Sequence, residues 1–175
     1  MYINFDESTR YTVGVLVDNE PGVLSRVSGL FSRRGFNIES LTVGTTTDPQ
    51  VSRITIVVKG NDANIEQLVQ QLYKLICVQK VQVMQPRNSV ERQLLLVKVK
   101  AGVADREGLM RLVDIFKAKV LDVTRGSMTL QITGENDKIA SMLSLLEDYG
   151  ILELVRTGIV ALERGDGVMN SDIFD

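Results

Sequence analysis

The run Asp18-Asn19-Glu20-Pro21-Gly22-Val23-Leu24 separates a segment of strand periodicity from one of helix periodicity, and the order of elements around it decides the fold. Before it, Tyr11, Val13, Val15 and Val17 alternate with Thr12, Gly14 and Leu16, a period of two. After it, Leu24, Val27, Leu30 and Phe31 fall on one helical face. Pro21 has a fixed φ and no N–H to leave unpaired, so it fits the first helical turn, with Asn19 or Glu20 before it as cap. Gly22 has no side chain to shield the amides that follow. The unpaired N–H groups of the first turn, with the positive end of the helix dipole behind them, make a place for an anion such as an α-carboxylate.

Working outward, the first helix should stop after Arg33-Arg34, with Gly35 in the left-handed region as its cap. Asn37 to Gly44 reads as a strand, and Asp48-Pro49 marks a turn into a second strand carrying Ile54, Ile56 and Val58. Gly60-Asn61-Asp62 caps a second helix with the stripe Ile65, Leu68, Val69, Leu72 and Ile76, and Val78, Val81 and Val83 complete the unit. The order β-α-β-β-α-β builds a ferredoxin-like antiparallel sheet with both helices on one face. Pro86-Arg87-Asn88-Ser89 interrupts the pattern, which then repeats. Leu94, Leu96 and Val97 begin a strand; Leu109, Leu112, Val113 and Phe116 mark a helix; Val120 with Val123, then Met128, Leu130 and Ile132, mark two strands. Ile139, Met142, Leu143 and Leu146 form a last helical stripe, and Ile151 to Leu162 reads as the last strand. The fold class is therefore α+β, two βαββαβ domains in tandem. Their bounds are an extension at 1–9, a first domain at 10–85, a linker at 86–90, a second domain at 91–165 and a mobile tail at 166–175, with no packed structure expected beyond Leu162.

Composition narrows the chemistry. The 175 residues are 44% hydrophobic, ample for buried cores, and the net charge is −2 with Lys and Arg spread along the chain instead of gathered in runs, which argues against a nucleic-acid or anionic-membrane partner. No apolar run approaches membrane-spanning length and the first ten residues lack a signal core, so a cytoplasmic chain, or one of a plastid stroma, is the expectation. Cys77 is the single cysteine and is expected in the core; a Cys-rich metal site is excluded. Histidine is absent, which removes the commonest general base and the Ser-His and Cys-His pairs, so catalytic residues are not expected on this chain.

Two stretches carry a resemblance to a known family: Asn19-Glu20-Pro21-Gly22-Val23-Leu24-Ser25-Arg26-Val27 and Phe31-Ser32-Arg33-Arg34-Gly35-Phe36-Asn37-Ile38-Glu39-Ser40-Leu41-Thr42. With Asp48-Pro49 they make the first half resemble an ACT domain, and specifically that of the regulatory small subunit of acetohydroxyacid (acetolactate) synthase. Leu96-Val97-Lys98-Val99, Asp122-Val123-Thr124 and Arg156 to Gly165 are similar to the C-terminal domain of that family. The resemblance implies a non-catalytic subunit that activates a separate catalytic large subunit in branched-chain amino-acid biosynthesis. It also implies feedback inhibition by valine, with leucine or isoleucine as other effectors. Thiamine diphosphate, FAD and Mg²⁺ would lie on the catalytic chain, and this chain would carry none.

By the same resemblance the effector lies between two ACT domains of a homodimer, paired edge to edge. Asn19 would hydrogen-bond its charged groups, the loop at Pro21 would offer the backbone N–H groups of Gly22, Val23 and Leu24 to its carboxylate, and Asn37 with Ile38 would come from the neighbouring subunit. The matching junction of the second domain, Ala101-Gly102-Val103-Ala104-Asp105, lacks the Asn-x-x-Gly arrangement, so no effector is expected there; that domain would dock the catalytic subunit. Arg53, Lys98 and Arg156 are strand cations open to partner or solvent. A free-standing ACT-type amino-acid sensor shares the first domain's features but not the long C-terminal match. An acylphosphatase-like hydrolase would want an arginine in the loop at 19–23.

Overall fold

The computed structural model describes residues 9–169. They form two compact units: one takes the chain up to Val90 together with Ile159 onward, the other takes Glu91–Gly158.

In the first unit, β1 (Thr9–Asp18), α1 (Val23–Arg33), β2 (Ile38–Thr45), β3 (Val51–Gly60), α2 (Asp62–Leu72) and β4 (Val78–Met84) follow the expected order, and the antiparallel sheet runs β2-β3-β1-β4. Val13, Val15, Ile54, Ile56 and Val58 point from the sheet to Val27, Phe31, Ile65, Leu68 and Leu72 of the helices, all buried in one cluster that includes Cys77. Alternation along the strands leaves β1 and β3 a second face carrying Thr12, Gly14, Leu16, Arg53, Thr55 and Val57. α1 ends as its Gly35 predicts. With φ +74 at Gly35, Phe36 N–H reaches Phe31 O at 3.0 Å and Gly35 N–H reaches Ser32 O at 3.2 Å, a Schellman arrangement. The Phe36 ring then meets Phe31 edge to face, 6.3 Å between centroids, closing the cap with an apolar contact. Asn61 caps α2 by accepting from Asn64 N–H at 2.9 Å. The helix stops at Leu72 because the chain must reverse into β4 through turns in which Leu75 and Val78 N–H are bonded, which leaves Ile76 outside the stripe and 99% exposed.

A short 3-10 turn, Pro86–Asn88, leads into β5 (Ser89–Lys100), which carries the chain into the second unit. There α3 (Arg106–Phe116), β6 (Lys119–Val123), β7 (Ser127–Gly134), α4 (Asn136–Glu147) and β8 (Ile151–Arg156) complete a second sheet in the order β6-β7-β5-β8. Its core joins Leu95, Val97, Val99, Leu130 and Ile132 to Leu109, Ile139, Met142 and Leu146. Both halves are thus antiparallel sheets with helices on one face, an α+β fold.

Three expectations are corrected. The apolar run 151–162 is two strands, because Thr157 Oγ1 takes the Leu94 N–H at 3.0 Å and ends the β8 ladder; β9 (Val160–Glu163) then belongs to the first unit. The chain after Leu162 is held at two points although residues 164–168 are exposed: Arg164 N–H and Nε donate to Asn88 O and Ser89 O at 2.7 and 3.1 Å, and Met169 lies over Gly14. The strand expected from residue 11 includes Thr9, paired with Gly60. The remainder of the expected extension and tail, 1–8 and 170–175, lies outside the described residues.

Candidate functional site

β1 delivers Asp18 and Asn19 to the end of the sheet where the β2–β3 turn also lies. Asn19 N–H donates to Gln50 O at 2.7 Å, its Nδ2 donates to Pro49 O at 2.8 Å, and its Oδ1 accepts from Ser52 Oγ at 3.1 Å. The side-chain amide expected to face a ligand is therefore spent in part on fixing the turn, which is itself braced by Asp48 Oδ1 accepting from Gln50 N–H at 2.8 Å.

Pro21 is not in the first helical turn as the sequence suggests. The helix begins at Val23, and Gly22 is its N-cap at φ +85 with no side chain capping the helix. Pro21 and Gly22 form a turn instead, in which Val23 N–H is drawn back to Glu20 O at 3.4 Å while the Val23 side chain is buried in the core. Among the described residues, nothing accepts from the N–H groups of Gly22, Leu24 or Ser25. These, with Ser25 in place of Val23, are the donors the helix end holds out. The sequence signal for Ser25 was counting: the first helical residues have no acceptor one turn back unless the turn supplies one. A Cβ built on Gly22 would meet no atom within 4 Å, so the loop is open on that side.

Beside this loop is an open cleft of about 590 Å³ rimmed by Asp18, Glu20 and Asp48 together with Asn19, Gln50 and Gln79. Asp18 Oδ1 accepts from Gln79 Nε2 at 2.7 Å, which orients one of the three carboxylates. Free N–H groups next to a carboxylate-rimmed cleft suit a zwitterion, the first for its anionic end and the second for its ammonium. Leu24, 42% exposed, supplies an apolar surface at the same loop.

Asn37 and Ile38 are elsewhere. Ile38 pairs with Val58 of β3, whereas Asn19 is bonded to Ser52, and six positions along a strand at about 3.3 Å each separate them by roughly 20 Å. One chain does not bring the two halves of the expected site together. Ile38 lies on β2, an edge strand with Asn37 exposed ahead of it, and packs its side chain partly against the first core. The start of β2 is held by Glu39, which meets Arg10 Nε at 2.8 Å and Lys59 Nζ at 2.9 Å; the hydrogen bond from Lys59, with both positive charges, holds its carboxyl below the usual range.

At the matching junction of the second unit, Gly102 N–H donates to Asp105 Oδ2 at 3.2 Å. The chain's own carboxylate sits where a ligand's would. Arg53, open from sequence to partner or solvent, turns instead to Ala161 O at 2.8 Å. Among the described residues no three His, Cys, Asp or Glu side chains gather as a metal site, and no helix is long and apolar enough to cross a membrane.

Comparison with known proteins agrees with this architecture along nearly the whole chain. Residues 13–80 match the family described as an AHAS small subunit-like ACT domain, and residues 92–165 match that of the small subunit of acetolactate synthase. A probable acetolactate synthase small subunit of Archaeoglobus fulgidus is 50% identical over 157 residues, 90% of this chain and 98% of that one. The acetolactate synthase small subunit of Mycolicibacterium smegmatis is 48% identical over 155 residues, 89% of this chain and 91% of that one. The crystal structure of the small subunit from Thermotoga maritima superposes with a TM-score of 0.85 at 43% identity, covering 91% of this chain and 99% of that chain. This chain belongs to the family of acetolactate synthase small subunits.

Proposed function

We propose that the chain is the regulatory subunit of an acetolactate synthase. It binds a catalytic large subunit, raises its activity and makes it sensitive to a branched-chain amino acid, valine foremost. The thiamine diphosphate, FAD and Mg²⁺ of the reaction belong to the large subunit. The effector's carboxylate meets the N–H groups of Gly22, Leu24 and Ser25, its ammonium faces the carboxylate rim, and Leu24 borders its side chain.

The observation that carries this reading is the separation of the two half-sites on a sheet whose β2 edge pairs with no other described strand. If two copies pair β2 to β2 antiparallel, Ile38 of one lies toward the Thr45 end of the other, which is the end that holds the Asn19 loop. A homodimer thus completes two sites and covers an edge strand that would otherwise invite non-specific pairing. The second unit, whose helix junction is filled by Asp105, serves to dock the large subunit.

Thermal unfolding of the purified chain with L-valine titrated tests the reading, with L-lysine as comparator. At about 100 times the dissociation constant, binding adds about 2.7 kcal/mol, or roughly 5 to 10 °C for a chain of this size. A saturable rise with valine and not lysine is the expected result. No rise, with or without the large subunit, would overturn the effector assignment.

A further inference from the structure

Leu16, Val57 and Met84 are buried, yet none belongs to the core between sheet and helices. They occupy the other face of the first sheet, and the segment from Ile159 to Met169 covers it. Ile159 and Ala161 are 5% and 4% exposed, β9 lies against β4, and the Met169 sulfur comes within 3.1 Å of where a Cβ on Gly14 would stand.

This strap is hydrogen-bonded beside each half of the effector site. Ser52 holds Asn19, and the next residue, Arg53, donates from Nη2 to Ala161 O at 2.8 Å. On β2, Ile38 is two residues from Ser40, whose Oγ accepts from Ile159 N–H at 2.7 Å. Successive residues of a strand face opposite ways, so adjacent positions of β3 touch the Asn19 loop through Ser52 and the strap through Arg53. The strap also holds the chain where it leaves the first unit. Ile159 follows the crossing at Gly158, and Arg164 is bonded to Asn88 and Ser89, just ahead of the crossing after Val90.

The seating of the strap is not deep. Arg53 Nε, Thr42 Oγ1, Gln82 Oε1 and Ser89 Oγ are buried on or beside that face with no hydrogen-bond partner. Burial makes the guanidinium easier to deprotonate than usual, an effect that nearby Glu163 opposes. A contact layer that strands polar atoms is a natural element to have two arrangements of similar free energy.

We propose that Ile159–Met169 is the element that couples effector binding to the second unit, with Arg53 and Ser40 as its transmission residues. This rests on the effector reading above, and it assigns to the strap a role separate from binding.

The test uses the holoenzyme with Arg53→Gln and Ser40→Ala subunits, measuring valine affinity by calorimetry and the maximal extent of valine inhibition. The coupling predicts affinity within about twofold of wild type, while the fold-inhibition at saturating valine falls toward one. Arg53→Lys, which keeps a donor and the charge, should restore part of it. Full inhibition in both variants with wild-type affinity would overturn the proposal. Wild-type subunit that binds no valine would remove the effector reading first, and the coupling with it. Hydrogen exchange on the wild-type holoenzyme covers the case of variants that fail to fold. Protection at Ile159–Ala161 should change when valine is added, and unchanged protection there would contradict the proposed route.

Discussion

Ser52 donates its hydroxyl to the side-chain oxygen of Asn19 at 3.1 Å, so the residue expected to greet the effector is already tied to the turn beside it. Asn19→Ala removes this bond and the one from Nδ2 to Pro49 O, each worth about 0.5 to 1.5 kcal/mol net. Ser52→Ala removes only the first. Urea unfolding should therefore rank wild type above Ser52→Ala above Asn19→Ala. Equal stabilities for the two variants would show that the Pro49 contact contributes nothing.

Gly22 separates backbone strain from charge. Its φ of +85 suits glycine, and a Cβ there meets no atom within 4 Å, so Gly22→Ala should cost about 1 to 2 kcal/mol through conformation alone. Gly22→Asp adds a carboxylate next to the free N–H groups. It should abolish valine inhibition while activation of the large subunit persists, whereas Gly22→Ala should keep a measurable response. Valine inhibition of the Asp variant equal to wild type would place the carboxylate elsewhere.

How much of this was legible in sequence follows from what a local pattern can report. Periods of two and 3.6 located both βαββαβ orders, and Gly35 and Asn61 marked helix ends because caps are local chemistry. Alternation makes the run 151–162 a single strand, because a local pattern does not report where a ladder breaks; the break comes from Thr157 bonding Leu94, 63 positions away. Leu16 and Val57 gave no sign of a second buried face, since their cover arrives from beyond residue 158. At the site, the glycine and its helix were visible, but the use of Val23 N–H within the turn depended on a left-handed Gly22 that moved Pro21 out of the helix.

Glu39 predicts a pH response at the start of β2. Its folded pKa lies below its unfolded value, so its contribution is present above the unfolded value of about 4.3 and is lost as pH falls through the folded one. With Arg10 and Lys59 side chains 40% and 51% exposed, solvent screening keeps it to about 1 kcal/mol or less. Glu39→Gln should be slightly less stable than wild type at pH 7 and indistinguishable from it near pH 2. A difference that persists at the acid end would assign the effect to packing.

Lys117 closes α3 at φ +53, the left-handed region, as a non-glycine residue. Lys117→Gly relieves that conformation and should stabilise the chain by about 0.5 to 1 kcal/mol after glycine's own entropy cost. A thermal midpoint lower than wild type would mean that the lysine side chain contributes more than the strain removes.

In the proposed dimer each effector site is shared between two copies, the Asn19–Gly22 loop from one and Asn37 with Ile38 from the other. Mixing Gly22→Asp chains with Asn37→Ala chains by joint unfolding and refolding, then counting valine sites by calorimetry, tests it directly. Each variant alone should bind no valine. In a mixed dimer one site collects both substitutions and the other collects neither, so the refolded mixture should recover about one site for every four chains. Mixed dimers shown to form by mass spectrometry that still bind no valine would contradict the shared site.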